Sequence, residues 1–193
     1  MKIILSSLAA GLGFGAATSL INALSSPYGE LGAPLTGTVW AGAAKVLSLL
    51  MDAGWSWAGL AVAMGWVAGT RALGALAGAL ALFAATGAYY VTDALVWGAG
   101  TDMVRWWVVG LPFGLVLGAV GSAIRRPGLT GLLAALTVPV GAAVQMVVLP
   151  PSPHLTLTPS MVLAEVIVWT ASALGAGWAV CRFWATKRAG TAG

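Results

Sequence analysis

Charge is what this chain has least of. Only 7% of its 193 residues are Asp, Glu, Lys or Arg, against about 25% in an average soluble domain. Hydrophobic residues make up 60%, and mean hydropathy is +0.95. A soluble fold is excluded by that balance. Cysteine and histidine are also scarce. The single Cys181 excludes an internal disulfide and a cysteine-based metal site, and His154 stands alone in a Pro-rich loop. That leaves no histidine metal cluster and no Ser-His-Asp triad within one chain. No Gly-rich phosphate loop follows a strand pattern, and no basic and aromatic stripe suits a nucleic acid. No metal, cofactor or nucleic-acid partner is therefore expected.

What is abundant is apolar length. Several runs reach about 20 residues, enough to cross the hydrocarbon core of a bilayer. The chain reads as an all-α polytopic membrane protein, a single bundle over 1–186 followed by a frayed tail over 187–193. Six transmembrane helices are expected, at about Ile3–Leu24, Gly54–Thr70, Ala72–Trp97, Met103–Ile124, Gly128–Leu149 and Ser160–Arg182. The first is longer than a signal-peptide core and more spans follow, so it reads as a retained helix. Thr38–Met51 is short for a span and carries Lys45, so a re-entrant or interfacial helix is expected over about 38–51. Ser25–Pro34 and Pro150–Pro159 are Gly/Pro-punctuated loops.

The basic residues test that count. With six spans and both termini in the cytoplasm, Lys2, Arg71, Arg125, Arg126, Arg182, Lys187 and Arg188 fall inside, leaving only Lys45 and Arg105 outside. A multi-pass protein of the cell membrane is expected. The acids Glu30, Asp52, Asp93, Asp102 and Glu165 then gather in the outer half, together with Gln145 and most tryptophans. An interfacial aromatic belt with solvated loop acids accounts for Asp52, Asp102, Trp106 and Trp107. It accounts less well for Asp93, Glu165 and Gln145. Gly110, Gly114 and Gly118 repeat every four residues, with Gly11/Gly15, Gly65/Gly69 and Gly74/Gly78 as further pairs. Such faces let membrane helices approach closely, within one chain or between copies as a homo-oligomer.

One stretch concentrates the chemistry. Tyr89, Asp93 and Trp97 fall at i, i+4 and i+8, which puts a carboxyl between two aromatic rings on one helix face. Ionisable groups at membrane depth are costly and mark functional sites by default. A carboxyl in an apolar pocket becomes a proton donor, and two neighbouring carboxyls divide into one protonated and one ionised. Asp93 and Glu165 are candidates for such a pair, with Glu30 folding in from the first outer loop. Tyr89, Tyr90, Trp57, Trp97 and Trp169 supply aromatic faces that attract cations without acting as nucleophiles. Protonation of a prenyl chain with an aromatic lining for the carbocation is the chemistry of a terpene cyclase. Its substrate would be a hydrophobic, prenylated small molecule entering from the bilayer.

Gly87-Ala-Tyr-Tyr90, Gly110-Leu-Pro-Phe-Gly114 and Leu117-Gly-Ala-Val-Gly-Ser-Ala-Ile-Arg-Arg126, after a Gly-rich first helix, resemble an actinobacterial family of small integral membrane proteins. In size and polytopic character the chain is similar to bacterial membrane-bound terpene cyclases of the drimentine type. The resemblance implies a Glu/Asp pair as protonating machinery, which maps onto Glu30, Asp93 or Glu165. Neither an Asp-x-Asp-Asp motif nor an Asp-rich diphosphate motif is present. Two other classes stay open. The chain also resembles substrate-binding subunits of energy-coupling-factor vitamin transporters, in which Trp57, Tyr89, Asp93, Gln145 and Glu165 would line an outward-facing site. Alternatively, the acids of a non-catalytic immunity or assembly protein would only pair helices.

Overall fold

The computed structural model describes residues 1–98, 103–149 and 158–191, with side chains through 188. Asp102 and His154 lie outside the described residues. Seven α-helices and no strands are present among the described residues: α1 (Lys2–Ser25), α2 (Val39–Met51), α3 (Gly54–Ala68), α4 (Arg71–Trp97), α5 (Met103–Ala123), α6 (Leu129–Val148) and α7 (Pro159–Thr191), plus a 3-10 turn at Ala33–Leu35. By length and composition α1, α4, α5, α6 and α7 can each cross a membrane, and α2 with α3 makes a sixth candidate, bent by 61°.

The packing is inverted relative to a soluble protein. The largest fully buried side chains are only Thr18, Ser7 and Ser19. Leu133, Val108, Phe113, Val116 and Leu174 all stand more than half exposed. A bundle that buries its small residues and exposes its large apolar ones matches a hydrocarbon solvent, where helices associate by close backbone approach. Thr18 and Ser7 satisfy their hydroxyls locally, on the carbonyls of Phe14 and Ile3 at 2.8 Å each.

Glycine sets where the helices touch. Gly11 and Gly15 of α1 press onto the backbone of Ala81 and Ala85 of α4, so these two helices run parallel. Gly74 and Gly78 of α4 meet Gly118 and Gly114 of α5 in antiparallel order, and Gly65 of α3 abuts Gly118 from another side. The four-residue glycine repeat on α5 is therefore split. Gly114 and Gly118 are contact points, whereas a Cβ on Gly110 would meet nothing within 4 Å. Gly69 does not pack like its partner Gly65: at φ +79° it ends α3 in the left-handed region. Thr70 then caps α4 through the backbone N–H of Leu73. On the other flank α6 and α7 form an antiparallel pair, with the Pro139 ring seated on Gly175.

α2 lies along α7, where Ser160 donates to the Gly42 carbonyl and Leu50 packs near Val168. The chain then bends at Asp52–Ala53 and continues as α3. The bend is capped from within. Gln145 Oε1 of α6 accepts the backbone N–H of Trp55 at 3.0 Å, and Ser56 Oγ donates to the carbonyls of Met51 and Ala53 at 2.6 and 2.8 Å. Helix ends inside a membrane bundle need such partners, because lipid supplies none. Gln145→Leu is expected to leave that N–H unpaired and cost about 1–3 kcal/mol. Thermal melting in detergent checks this, with Gln145→Glu, which keeps the acceptor, as the milder variant.

Candidate functional site

The polar centre of the bundle is Asn22, the chain's single asparagine. It sits near the end of α1, where the close α1–α4 contact carries it to Tyr89. Its Nδ2 donates to Tyr89 Oη at 3.2 Å, and its Oδ1 accepts from Ser48 Oγ of α2 at 2.7 Å. The Asp52 carboxylate interacts with the same side chain from the bend. Three helices, α1, α2 and α4, thus meet at one amide. Tyr89 also lies within electrostatic reach of Asp52, Asp93 and Tyr90.

An aromatic chain runs beside this cluster. Phe14 and Trp57 meet edge to face at 5.4 Å, Trp57 and Tyr89 at 6.0 Å, and Tyr89 and Tyr90 at 5.2 Å. These rings are packed on one another, a favourable geometry for aromatic pairs. A cleft of about 290 Å³ opens between α2, α6 and α7. Lys45, Ser48 and Asp52 form one wall, at i, i+3 and i+7 on a single helix face, and Gln145, Met146 and Val168 face them. Ser48 belongs to both features: it lines the cleft and donates to Asn22.

The residues expected from sequence are divided by this geometry. Tyr89, Tyr90 and Trp57 are together and half-buried. Asp93, half-buried, stands one turn beyond Tyr89 on α4. Gln145 is in the cleft, but its carbonyl oxygen also serves as a helix cap. Glu165 is half-buried on α7, adjacent in sequence to the cleft residue Ala164. Asp93 and Glu165 stand on helices with different main neighbours: α4 packs chiefly on α1, α3 and α5, whereas α7 packs chiefly on α6 and α2. Glu30 is exposed in the loop after α1. Trp97 is 42% exposed, and its ring lies against Gly29, closing that loop onto the end of α4. Trp169 is 46% exposed, outside the aromatic chain.

Two residues of the site are ones that sequence reasoning misses. Asp52 reads from sequence as a solvated loop acid, yet it stands at the mouth of the cleft and interacts with Asn22. Asn22 is hidden inside an apolar first helix. The usable signal is chemical: an amide inside an apolar membrane helix makes its hydrogen bonds to neighbouring helices, as Asn22 does to Tyr89 and Ser48. Trp107, assigned to an aromatic belt, also has a structural bond, its indole N–H donating to the Phe83 carbonyl at 3.1 Å while the rings stack at 4.6 Å. Among the described residues no group of three or more His, Cys, Asp or Glu side chains could hold a metal ion.

No family model matches the chain, and no curated protein or solved structure does either. The functional reading therefore rests on the site alone.

Proposed function

We propose that this is a multi-pass membrane protein of six spans that binds a small polar solute at the bend of its second span, as the binding component of a transport system. In this reading α2 and α3 form one bent span, and both termini and the basic helix ends lie in the cytoplasm. The observation that carries it is the cleft at the bend, with Lys45 and Asp52 on one wall and Gln145 opposite. Membrane proteins place solute sites where a span is discontinuous, because the irregular backbone must line a cavity or be buried in protein. An ammonium and a carboxylate seven residues apart on a helix suit a zwitterion, or a solute with one acidic and one hydrogen-bond-donating end.

The test is binding by the purified full chain. Small molecules released on denaturation are identified by mass spectrometry, and thermal stability is scanned against zwitterionic and neutral solutes. Asp52→Asn and Lys45→Met are expected to abolish the stabilisation by the solute while leaving the unliganded melting temperature little changed. A protein that releases nothing and is stabilised by no solute contradicts the reading.

Prenyl-chain cyclisation is the second reading, favoured by the aromatic chain Phe14–Trp57–Tyr89–Tyr90 with Asp93 one turn away. Asp93 is then the proton donor. Asp93→Asn would abolish product in membranes fed a prenylated indole.

A further inference from the structure

A second cleft, at the opposite end of the bundle, has chemistry unrelated to the first. It is shallow, about 80 Å³, and lies between the α5–α6 turn and the last turns of α7. Arg125, Arg126 and Arg182 line it together with Leu132, Phe183 and Thr186. Arg125 and Arg126 are exposed, and the Arg182 guanidinium lies 5.6 Å from the Trp178 ring centroid, a cation–π distance. The turn is folded back tightly: Gly131 leaves no room for a Cβ against the Arg126 carbonyl, and Gly128 takes φ +78°. This holds the two arginines beside the start of α6, a helix with no side-chain N-cap.

Among the described residues no carboxylate is placed to neutralise these arginines. The described acids, Glu30, Asp52, Asp93 and Glu165, follow the end of α1, the end of α2, the last turns of α4 and the first turns of α7. The parallel α1–α4 pair and the antiparallel α4–α5 and α6–α7 pairs put those positions at the other end. A recess of phosphate size lined by Arg125, Arg126 and Arg182, with Leu132 and Phe183 among its apolar lining, matches a headgroup phosphate entering beside its own acyl chains. Guanidinium groups bind phosphate with charge-assisted, bidentate hydrogen bonds. Leu129 and Leu133 on α6 and Trp184 on α7 stand exposed near the cleft, as a lipid-facing surface requires. We propose that this cleft binds the phosphate of an anionic phospholipid and fixes the bundle's basic end to one leaflet.

The experiment uses the full chain in nanodiscs of phosphatidylcholine alone or with added phosphatidylglycerol, followed by transfer to detergent and native mass spectrometry of retained lipid. Phosphatidylglycerol is expected to be retained selectively, with each of Arg126→Gln and Arg182→Gln weakening retention about fivefold. Arg71→Gln, at the same end but outside the cleft, is the control and is expected to matter less. Arg182→Lys separates charge from packing, since it keeps the charge but loses the bidentate fork. Equal retention of both lipids, or unchanged retention in Arg126→Gln, overturns the proposal. Inorganic phosphate and glycerol phosphate form the last arm. If either displaces the lipid at millimolar concentration, the site takes a free phosphate compound and the lipid assignment fails. These outcomes do not depend on whether the outer cleft binds a solute.

Discussion

Gly118→Leu is expected to prevent the bundle from assembling. It should run as a heterogeneous species in detergent and lose the cooperative melt of the parent protein. A Cβ at Gly118 would overlap the Gly74 carbonyl and come to 3.0 Å from the Gly78 Cα, and Gly65 abuts the same residue from α3. Both neighbours are backbone, so no rotamer change relieves the overlap and whole helices must separate. Overpacking a core costs about 1–3 kcal/mol when side chains can yield. At a crossing of three backbones the upper end is the floor. Each helix would still insert, because its apolar length is unchanged; only association is lost. The control is Gly110→Ala, four and eight residues from Gly114 and Gly118 on the same repeat. A Cβ there meets nothing within 4 Å, and removing glycine from a helix interior gains about 1 kcal/mol. Gly110→Ala should melt at or slightly above the parent temperature. If Gly118→Leu melts like Gly110→Ala, the α3–α4–α5 crossing is wrongly placed.

Helix positions are largely legible in the sequence, and the assembly of the site is not. Apolar length alone sets spans such as Met103–Ala123, because in a bilayer an apolar run has only the helix to adopt. Where two spans cross is a different question. The sequence shows Gly110, Gly114 and Gly118 as equivalents, and only the rotation of α5 against α4 decides that two of them pack and one does not. The candidate acids show the same limit. Asp93 and Glu165 have similar depth along their helices, so sequence makes them candidate partners, but depth says nothing about position around the bundle. The packing order places α4 and α7 on different neighbours. Asp52 follows a short helix, the position of a loop acid, so nothing local marks it out. Only the fold shows that α2 leans along α7 and brings the bend over Gln145. Tyr89 stands out locally through its spacing with Asp93 and Trp97. Its hydrogen-bond partner is instead an amide 67 positions earlier in the chain, a pairing that no local spacing encodes.

Asn22→Leu should be the most damaging single change among the polar residues at this end of the bundle, and it tests whether the cluster is a structural unit. Leucine keeps asparagine's branching pattern, so the shape of the side chain changes little while its polarity is lost. The substitution removes the acceptor of Ser48 Oγ and the donor to Tyr89 Oη, and it takes away the polar partner of Asp52. Hydrogen bonds between membrane helices average about 0.6 kcal/mol each, so bond loss alone amounts to little. The groups left behind matter more, since a buried hydroxyl such as that of Ser48 costs about 1–3 kcal/mol without a partner, whereas the exposed Asp52 keeps water. Tyr89→Phe removes one bond and strands only part of the amide, so it should cost less than half as much in a detergent melt. Asn22→Asp is the informative third variant. It keeps an acceptor for Ser48 but loses the donor to Tyr89 and sets a second carboxylate beside Asp52, where like charges repel. Its stability should therefore improve as pH falls and one of the two carboxylates takes up a proton. In Asn22→Leu only Asp52 is left to titrate, so low pH should relieve its share of the deficit while the share from Ser48 and Tyr89 persists. Solute binding separates the remaining possibilities. Ser48 and Asp52 belong to the cleft at the bend as well as to this cluster, so Asn22→Leu should weaken a solute held there even at temperatures where the protein remains folded. If binding survives with full affinity while stability falls, Asn22 ties α1, α2 and α4 together and has no part in shaping the cleft.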